Sequence, residues 1–260
     1  MDWGKTKTIF ILTFFILNLL LGYQIYLKQK EYLQDIQSSN SIQELNSILR
    51  LQGIKLTSEI PREIPELHFV QVKKVEIEFN KTLVQKISMA GNGKDYYQIN
   101  DPIKIEKPYN SQELNSRMKK VIYQFNEYAD DPYEMNSNYL SYHQRIEGFP
   151  YYGETLKLQL SDEHVIGYWQ DYYEVVNQGP NRQVISAYSA IRTILDHQFI
   201  PKDSKIQEIQ LGYYKQAYPD DIQVFVPVWR MTYQQNHNTG MVYINAMTGG
   251  VEKMVSALQP

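Results

Sequence analysis

The chain has 260 residues, of which 43% are hydrophobic and 21% charged, and it contains 13 Gly, 11 Pro and no Cys. This composition is globular and excludes collagen-like, coiled-coil and wholly disordered chains. The lack of Cys excludes disulfide frameworks, thiolate zinc sites and cysteine catalysis. The formal charge of −3 argues against a nucleic-acid-binding protein, which requires a basic face.

The N-terminal region contains an uncharged segment that is long enough to cross a bilayer. Residues 8–27 read TIFILTFFILNLLLGYQIYL, and a helix of this length spans roughly 30 Å. The segment predicts one transmembrane helix, preceded by a tail at residues 1–7 and followed by a stalk at residues 28–40. A cleaved signal peptide is the alternative, but the apolar segment is too long and no small-x-small cleavage pattern follows it.

The flanking charges predict the orientation of this helix. Two Lys precede the segment and two follow it, so only the free amino terminus shifts the balance towards a cytoplasmic N-terminus. The tail is too short to hold a domain, and we therefore expect the remaining chain to be extracytoplasmic. The first 30 residues contain four Lys and one Asp, which leaves 22 basic and 28 acidic residues in the body. The body therefore has no basic excess to hold it against anionic lipid.

Apolar periodicity predicts both helices and strands after the stalk. Helices are expected at residues 41–53, from 110 or 111 towards 130, and at 186–197; the first has capping-box spacing between Ser41 and Glu44. Alternating patterns predict antiparallel strands in the segments HFVQVKKVEIEFN, LVQKISM, DYYQI, LKLQL, VIGYWQDYYEVV, IQEIQLGYYKQ, IQVFVPVWRMTY and GMVYINA.

Turn and loop signals divide these elements. Hairpin turns are predicted at residues 91–93 and near 237, and Pro227 within a strand predicts an edge position or a bulge. The loop cluster at 177–181 predicts a boundary between a first unit at 41–178 and a second at 179–260. The predicted fold class is α+β: a single N-terminal transmembrane helix followed by two helix-plus-antiparallel-sheet units.

The two ends of the chain carry a family resemblance. The opening MDWGKTKTIF, with Ile-Leu-Asn at 16–18, resembles the start of the YycI (WalI) family. The closing segments VPVW at 226–229 and YINAMTG at 243–249 are also similar to that family, and to PepSY-type strands more generally. The layout of one N-terminal span and a Cys-free α+β body agrees over essentially the whole chain.

The resemblance implies a regulator and not an enzyme. Members of this family are membrane-anchored and extracytoplasmic, pair with the related protein YycH, and bind the WalK sensor histidine kinase of Gram-positive bacteria, which controls cell-wall metabolism. Their contacts with the kinase and with YycH are attributed largely to transmembrane helices. Family members differ in whether they restrain or promote the kinase, so the direction of regulation does not transfer. Self-association is left open.

Within the membrane span, three residues predict a docking face for other transmembrane helices. Phe14, Asn18 and Gly22 are four residues apart and share one side of a helix. An amide in hydrocarbon gains from a partner, and Gly allows two backbones to approach closely. The alternative is that lipid simply tolerates one Asn and one Gly.

Aromatic residues in the predicted strands have three possible interpretations. Neighbouring rings in a strand point to opposite sheet faces, so each pair offers one outward ring. Ordinary packing on half-exposed sheets is the favoured interpretation, and a surface for the partner protein is the second, because Tyr and Trp are common interface anchors. A glycan platform is the third, and it gives the alternative function of an extracytoplasmic cell-wall ligand-binding module. The candidate surface residues are Tyr168, Trp169, Tyr172, Tyr173 and Trp229.

The sequence contains no recognisable catalytic or metal-binding motif. The five His have no metal-ligand spacing, and no nucleophile elbow or outstanding carboxylate pair is found. Asp130, Asp131 and Glu134 are oxygen-rich, but their spacing fits no calcium loop and favours a solvated loop. The sequence therefore predicts no catalytic residue, no metal and no cofactor.

Overall fold

A computed structural model describes residues 3–35, 39–88, 95–105, 112–216, 223–236 and 238–255. The chain divides into two compact units, Met1–Gly53 and Ile54–Pro260. The first contains helices α1 (Trp3–Asp35) and α2 (Ser39–Leu51). The second, which we call the body, contains helices α3 (Gln112–Val121) and α4 (Ala187–Asp196) and all the strands.

Sixteen strands are described in the body. In chain order they are β1 (Lys55–Leu56), β2 (Glu66–Leu67), β3 (Val70–Val75), β4 (Val84–Ser88), β5 (Asp95–Lys104), β6 (Tyr128–Asp130), β7 (Tyr139–Ile146), β8 (Phe149–Pro150), β9 (Leu156–Ser161), β10 (His164–Gln170), β11 (Tyr172–Gln178), β12 (Arg182–Gln183), β13 (Lys205–Gln216), β14 (Gln223–Gln235), β15 (Asn238–Asn245) and β16 (Val251–Val255).

These strands form two seven-stranded sheets and one small two-stranded sheet of β2 and β12. The first sheet has the order β4-β5-β10-β9-β7-β6, with β8 paired to β7. The second sheet has the order β1-β13-β14-β15-β16, with β3 paired to β14 and β11 paired to β3. Among the described strands every pairing is antiparallel except that of β1 with β13. The predicted α+β class, with an N-terminal apolar helix and antiparallel sheets, is confirmed.

Helix α1 is continuous through the predicted span and into the predicted stalk. One stretch of it, Lys7–Gln24, is long and apolar enough to cross a membrane, and none of its residues is buried in the structure. Large apolar side chains such as Phe10 and Ile11 are 72% and 70% exposed. A helical stretch that is apolar on all sides and has no buried residue suggests a membrane anchor.

The chain passes from one sheet to the other at a single residue, Asp171. The sequence predicts one strand from Val165 to Val176, but β10 ends at Gln170 in the first sheet and β11 begins at Tyr172 in the second. The Asp171 carboxylate accepts from Lys74 Nζ at 2.6 Å, and its N–H donates to the Thr155 carbonyl at 2.7 Å. These contacts hold the residue outside both ladders.

The strand pairing also crosses the boundary predicted at 178/179. Strands β3 and β11 precede that boundary, yet they belong to the same sheet as β13–β16, which follow it. A local sequence pattern indicates where a strand begins and ends but not which strand it pairs with. The partners of β3 begin at Tyr172 and at Gln223, about 100 residues or more further along the chain.

Pro227 lies in β14, which has partners on both sides and is therefore not an edge strand. On one side β14 pairs with β3 only up to Phe225 and with β15 only from Val228 onwards. The Pro227 carbonyl accepts from Ala246 N on this same side. The missing N–H of proline therefore falls between two ladders, where it removes no ladder hydrogen bond.

The predicted helices of the body are present with shorter bounds. Ser186 caps α4, since its hydroxyl accepts from Ser189 N at 3.1 Å. The predicted stripe of α3, including Leu114 and Met118, is buried in the core of the first sheet. That helix ends at Val121 and not near 130, because Gln124 adopts a left-handed conformation (φ 48°) before a short 3₁₀ helix at Phe125–Glu127. The predicted start of α3 before 112 and the predicted turns at 91–93 and 237 lie outside the described residues.

Buried tyrosines connect irregular segments to the sheets by hydrogen bonds from their phenol groups to backbone carbonyls. Tyr168 Oη donates to the carbonyl of Val121 at 2.6 Å, at the end of α3. Tyr128 Oη donates to the carbonyl of Asp171 at 2.8 Å, where the chain changes sheet. Burial raises the pKa of both phenols, so both stay protonated and able to donate.

We expect Gly167→Ala to destabilise the body by about 1–3 kcal/mol, the usual cost of overpacking. A Cβ at Gly167 would lie 2.8 Å from the Tyr97 carbonyl oxygen and also against the Tyr96 phenol. The carbonyl is part of the β5–β10 pairing and cannot move freely. Chemical unfolding followed by circular dichroism measures the effect.

Gly250→Ala is the matched control, because the nearest atom to its Cβ would be Thr248 Oγ1 at 3.5 Å, an ordinary contact. Equal unfolding free energies for both variants would contradict the close packing described at Gly167.

Candidate functional site

The predicted docking face on α1 is exposed in the structure. Phe14 is 68% exposed, and a Cβ at Gly22 would have no atom within 4 Å. Asn18 Nδ2 donates to the Phe14 carbonyl at 2.9 Å, one turn back along the helix. This bond uses one of the two N–H groups of the amide, and among the described residues it is the one side-chain hydrogen bond of Asn18. The remaining N–H and the amide oxygen make no hydrogen bond to the described residues and suit a bond to a neighbouring helix.

The predicted aromatic surface in the body is not a surface. Tyr168, Tyr172, Tyr173 and Trp229 are 0%, 7%, 8% and 2% exposed, so the prediction that they contact a partner is wrong. Tyr172 Oη donates to Glu127 Oε2, and Trp229 Nε1 donates to the Ile185 carbonyl at 2.8 Å. The adjacent residues Tyr172 and Tyr173 are both buried, so both faces of β11 are covered at these two positions and the alternation that predicts one outward ring does not apply there.

Trp169 is the exception among the five, because it is half-buried. Its ring lies 4.8 Å from that of Tyr96 and 6.1 Å from that of Tyr139. Lys157 Nζ lies 4.6 Å from the Tyr139 ring centre, in cation–π geometry. The contacts of Trp169 are those of aromatic packing on a sheet.

The structure reveals a buried charge network that local sequence patterns did not indicate. Arg230 on β14 is 2% exposed and Asp131, just after β6, is 1% exposed. Arg230 Nη1 donates to Asp131 Oδ2, and Arg230 Nη2 donates to Glu208 Oε2 at 2.6 Å. His143 on β7, also buried, places Nε2 2.8 Å from the same Asp131 oxygen. The network thus joins β6 and β7 of the first sheet to β13 and β14 of the second.

An aromatic ring covers this network. The Arg230 guanidinium lies 4.4 Å from the ring centre of Tyr152, in cation–π geometry. Tyr152 Oη lies 3.1 Å from Gln210 Oε1, to which it donates. Burial raises the pKa of Tyr152 well above its usual value, so the ring over the guanidinium is neutral.

The pKa of Asp131 is set by its interactions with neighbouring side chains. Burial alone would raise this pKa, but the hydrogen bond from His143 and the charge of Arg230 outweigh burial and lower it to about 2. The second carboxylate oxygen accepts from Tyr133 N at 3.0 Å. The residue is therefore ionised and fully bonded, in contrast to the solvated loop predicted from sequence.

Asp131, Glu134 and His143 also carry potential metal-ligand atoms within 4.8 Å of one another. The chemistry of the set does not fit a metal centre. Asp131 Oδ2 already accepts from both Arg230 and His143, and a cation would have to displace these two donors and lie beside a buried guanidinium. The group is better described as an ion-pair network that holds the two sheets together.

We expect Asp131→Asn to lower the unfolding free energy at neutral pH by about 3 kcal/mol, because it leaves the Arg230 charge buried without its partner. The stability gained from the low pKa is present above the unfolded-state value and is lost as the pH falls towards about 2. The native chain should therefore lose about 2 kcal/mol more than the variant between about pH 4 and pH 2. Unfolding curves over a pH series measure this difference.

Asp130→Asn is the control, since Asp130 is the adjacent residue in sequence and is exposed. Parallel acid profiles for the native chain and Asp131→Asn would show that the network does not stabilise the fold.

Comparisons with known proteins give one family match and two solved structures. The family model described as YycI protein matches residues 33–247. An uncharacterized protein from Eubacterium rectale ATCC 33656 superimposes with a TM-score of 0.52 at 12% identity, covering 77% of this chain and 91% of that one. The C-terminal domain of YpeB from Bacillus megaterium gives a TM-score of 0.40 at 16% identity, covering 86% and 98%. No curated protein matches the chain significantly.

The Eubacterium rectale structure shows a shared fold but gives no information on function. The family match has more weight, because it covers most of the chain and includes both seven-stranded sheets up to the end of β15. The opening segment at residues 1–10 lies before the matched range, so the family is recognised on the body independently of that segment. The protein belongs to the YycI family.

Proposed function

We propose that the protein is a membrane-anchored accessory regulator that binds a WalK-like sensor histidine kinase together with a YycH-like partner. Membership of the YycI family implies a role in regulating the WalK (YycG) two-component system, and regulation by binding requires no catalytic group. The observation that carries the finer proposal is α1, an apolar helix whose side chains are exposed along the whole membrane-length stretch. Such a helix needs lipid or other helices around it.

The proposed topology places the N-terminus in the cytoplasm and the body outside the cell. The free amino terminus supports this orientation under the positive-inside rule, because the Lys residues on the two sides of the span are equal in number. The body then reaches the kinase only through its extracytoplasmic surface and through α1. A docking contact within the bilayer supplies a direct connection between the two proteins.

The proposed contact is the face formed by Phe14, Asn18 and Gly22. Helix association in lipid gains little from the hydrophobic effect, so small residues and interhelical hydrogen bonds decide it. Gly22 offers open space for the backbone of a neighbouring helix, and Asn18 retains polar atoms that gain about 1 kcal/mol from a partner in lipid.

Regulation follows from a difference in binding affinity between signalling states of the kinase. If the anchored helix binds one state more tightly by about 1.4 kcal/mol, the ratio of the two states changes about tenfold. The same scheme raises or lowers kinase output, depending on which state is preferred. It needs no chemistry from the regulator.

We expect Asn18→Leu combined with Gly22→Leu to weaken association with the kinase, since it removes both the polar partner and the space for close approach. Each lost interhelical hydrogen bond costs about 1 kcal/mol, which corresponds to an association constant about fivefold lower. Co-purification of the full-length protein with the kinase from membranes measures the yield. Protease accessibility of the body in whole cells checks export.

The control is Ile16→Ala with Leu20→Ala, which changes the opposite side of α1, because 3.6 residues per turn place these positions about half a turn away. The control should keep the native yield of complex. Equal yields for the native chain and the Asn18/Gly22 double variant would remove this face from the proposal. A body that resists protease in whole cells would overturn the orientation.

A further inference from the structure

A cavity of about 660 Å³ lies in the body beside the charge network. Tyr133, His143 and Tyr152 line it from the side of the first sheet, and Tyr214 and Tyr243 line it from the second sheet. Its volume falls within the range of about 300–1,000 Å³ that is typical of small-molecule sites. Neither the family match nor the anchor assigns any role to it.

Six tyrosines are among the residues that line the cavity. The Tyr243 ring lies 5.6 Å from that of Tyr152 and 5.2 Å from that of Tyr214, which forms a continuous aromatic wall. Tyr133 and Tyr214 are half-buried, so their rings are accessible from the opening. Aromatic faces of this kind bind flat apolar surfaces, including the C–H face of a sugar ring.

The rim of the cavity is cationic on the side of the second sheet. Lys215 follows Tyr214 on β13, and Lys253 Nζ lies 5.5 Å from the Tyr214 ring centre. Both lysines are exposed and line the cavity. Three Lys and two Glu line the cavity altogether, so its net charge favours an anion over a cation.

Buried polar atoms lie on the adjacent strand. Arg230 Nε and Thr232 Oγ1 are buried and have no hydrogen-bond partner among the described residues. Thr232 is directly opposite Met241, and Arg230 is directly opposite Tyr243. Residues directly opposite in an antiparallel pair point to the same face of the sheet, and Met241 and Tyr243 line the cavity. Arg230 and Thr232 do not themselves line the cavity, so the polar groups open to a ligand are those of the lining side chains, among them Asn136 and Thr239.

We propose that this cavity binds a small acidic sugar. The half-buried rings of Tyr133 and Tyr214 contact the C–H face of the sugar. The ammonium groups of Lys215 and Lys253 bind its carboxylate, and the polar side chains that line the cavity, among them Asn136 and Thr239, bind its hydroxyls. The combination of ring faces, hydroxyl partners and cations at one side distinguishes this class from a purely apolar ligand, which would leave the rim charges unused.

The test compares two probes that differ in one group, methyl β-D-glucuronide and methyl β-D-glucoside. Saturation-transfer NMR titrations use the full chain in lipid nanodiscs, with empty nanodiscs as the blank. We expect the glucuronide to bind about fivefold more tightly than the glucoside, the upper range for one exposed ion pair. Lys253→Glu should remove this preference, whereas Lys205→Glu, an exposed lysine on β13 outside the cavity, should keep it.

A second variant tests the aromatic wall separately from the charge. Tyr214→Leu keeps an apolar side chain but removes the ring, so it should weaken both probes by about fivefold while the circular dichroism spectrum stays native. Tyr214→Phe keeps the ring and should bind both probes as the native chain does. No saturation transfer to either probe, equal affinity for the two probes, or a preference that survives Lys253→Glu would overturn the proposal. The readout does not involve the kinase, so it is independent of the contact proposed for α1.

Discussion

The ion pair between Arg230 and Asp131 is the interaction on which the arrangement of the body depends. Arg230 lies in β14 of the second sheet, Asp131 directly follows β6 of the first, and both residues are almost completely buried. A guanidinium in this position is costly unless its donors are bonded, and the network supplies Asp131, Glu208 and the face of Tyr152. The geometry of the two sheets at this point is therefore fixed more narrowly than apolar packing alone would fix it.

This network also explains the location of the cavity. Tyr152 covers the guanidinium on one side, and its ring continues into the wall formed by Tyr243 and Tyr214. Side chains that are committed to the ion pairs cannot collapse into the neighbouring space, so an opening persists between the sheets. The polar core and the ligand-sized cavity are thus two consequences of one buried charge.

Local elements could be predicted from the sequence to a large extent, and their partners could not. The cap at Ser186 and the apolar stripe of α3 depend on neighbouring residues, and both are present in the structure. The pairing of β3 with β11 and β14, and the meeting of Asp131 with Arg230 across 99 positions, depend on residues far apart in the chain. The aromatic residues show the same limit, because alternation predicts which rings share a face but not whether a second layer covers that face. Trp229 and Tyr168 are covered, and only Trp169 stays half-buried.

The phenol groups described in the fold have a further consequence for a chain that lacks Cys. Tyr168 and Tyr128 connect the end of α3 and the crossover at Asp171 to the sheets by hydrogen bonds from Oη to the backbone, whereas small secreted domains use disulfides for such connections. Hydrogen bonds form and break without electron transfer. The folding of the body therefore does not depend on the thiol–disulfide balance of its surroundings, because the chain has no disulfide to form or rearrange.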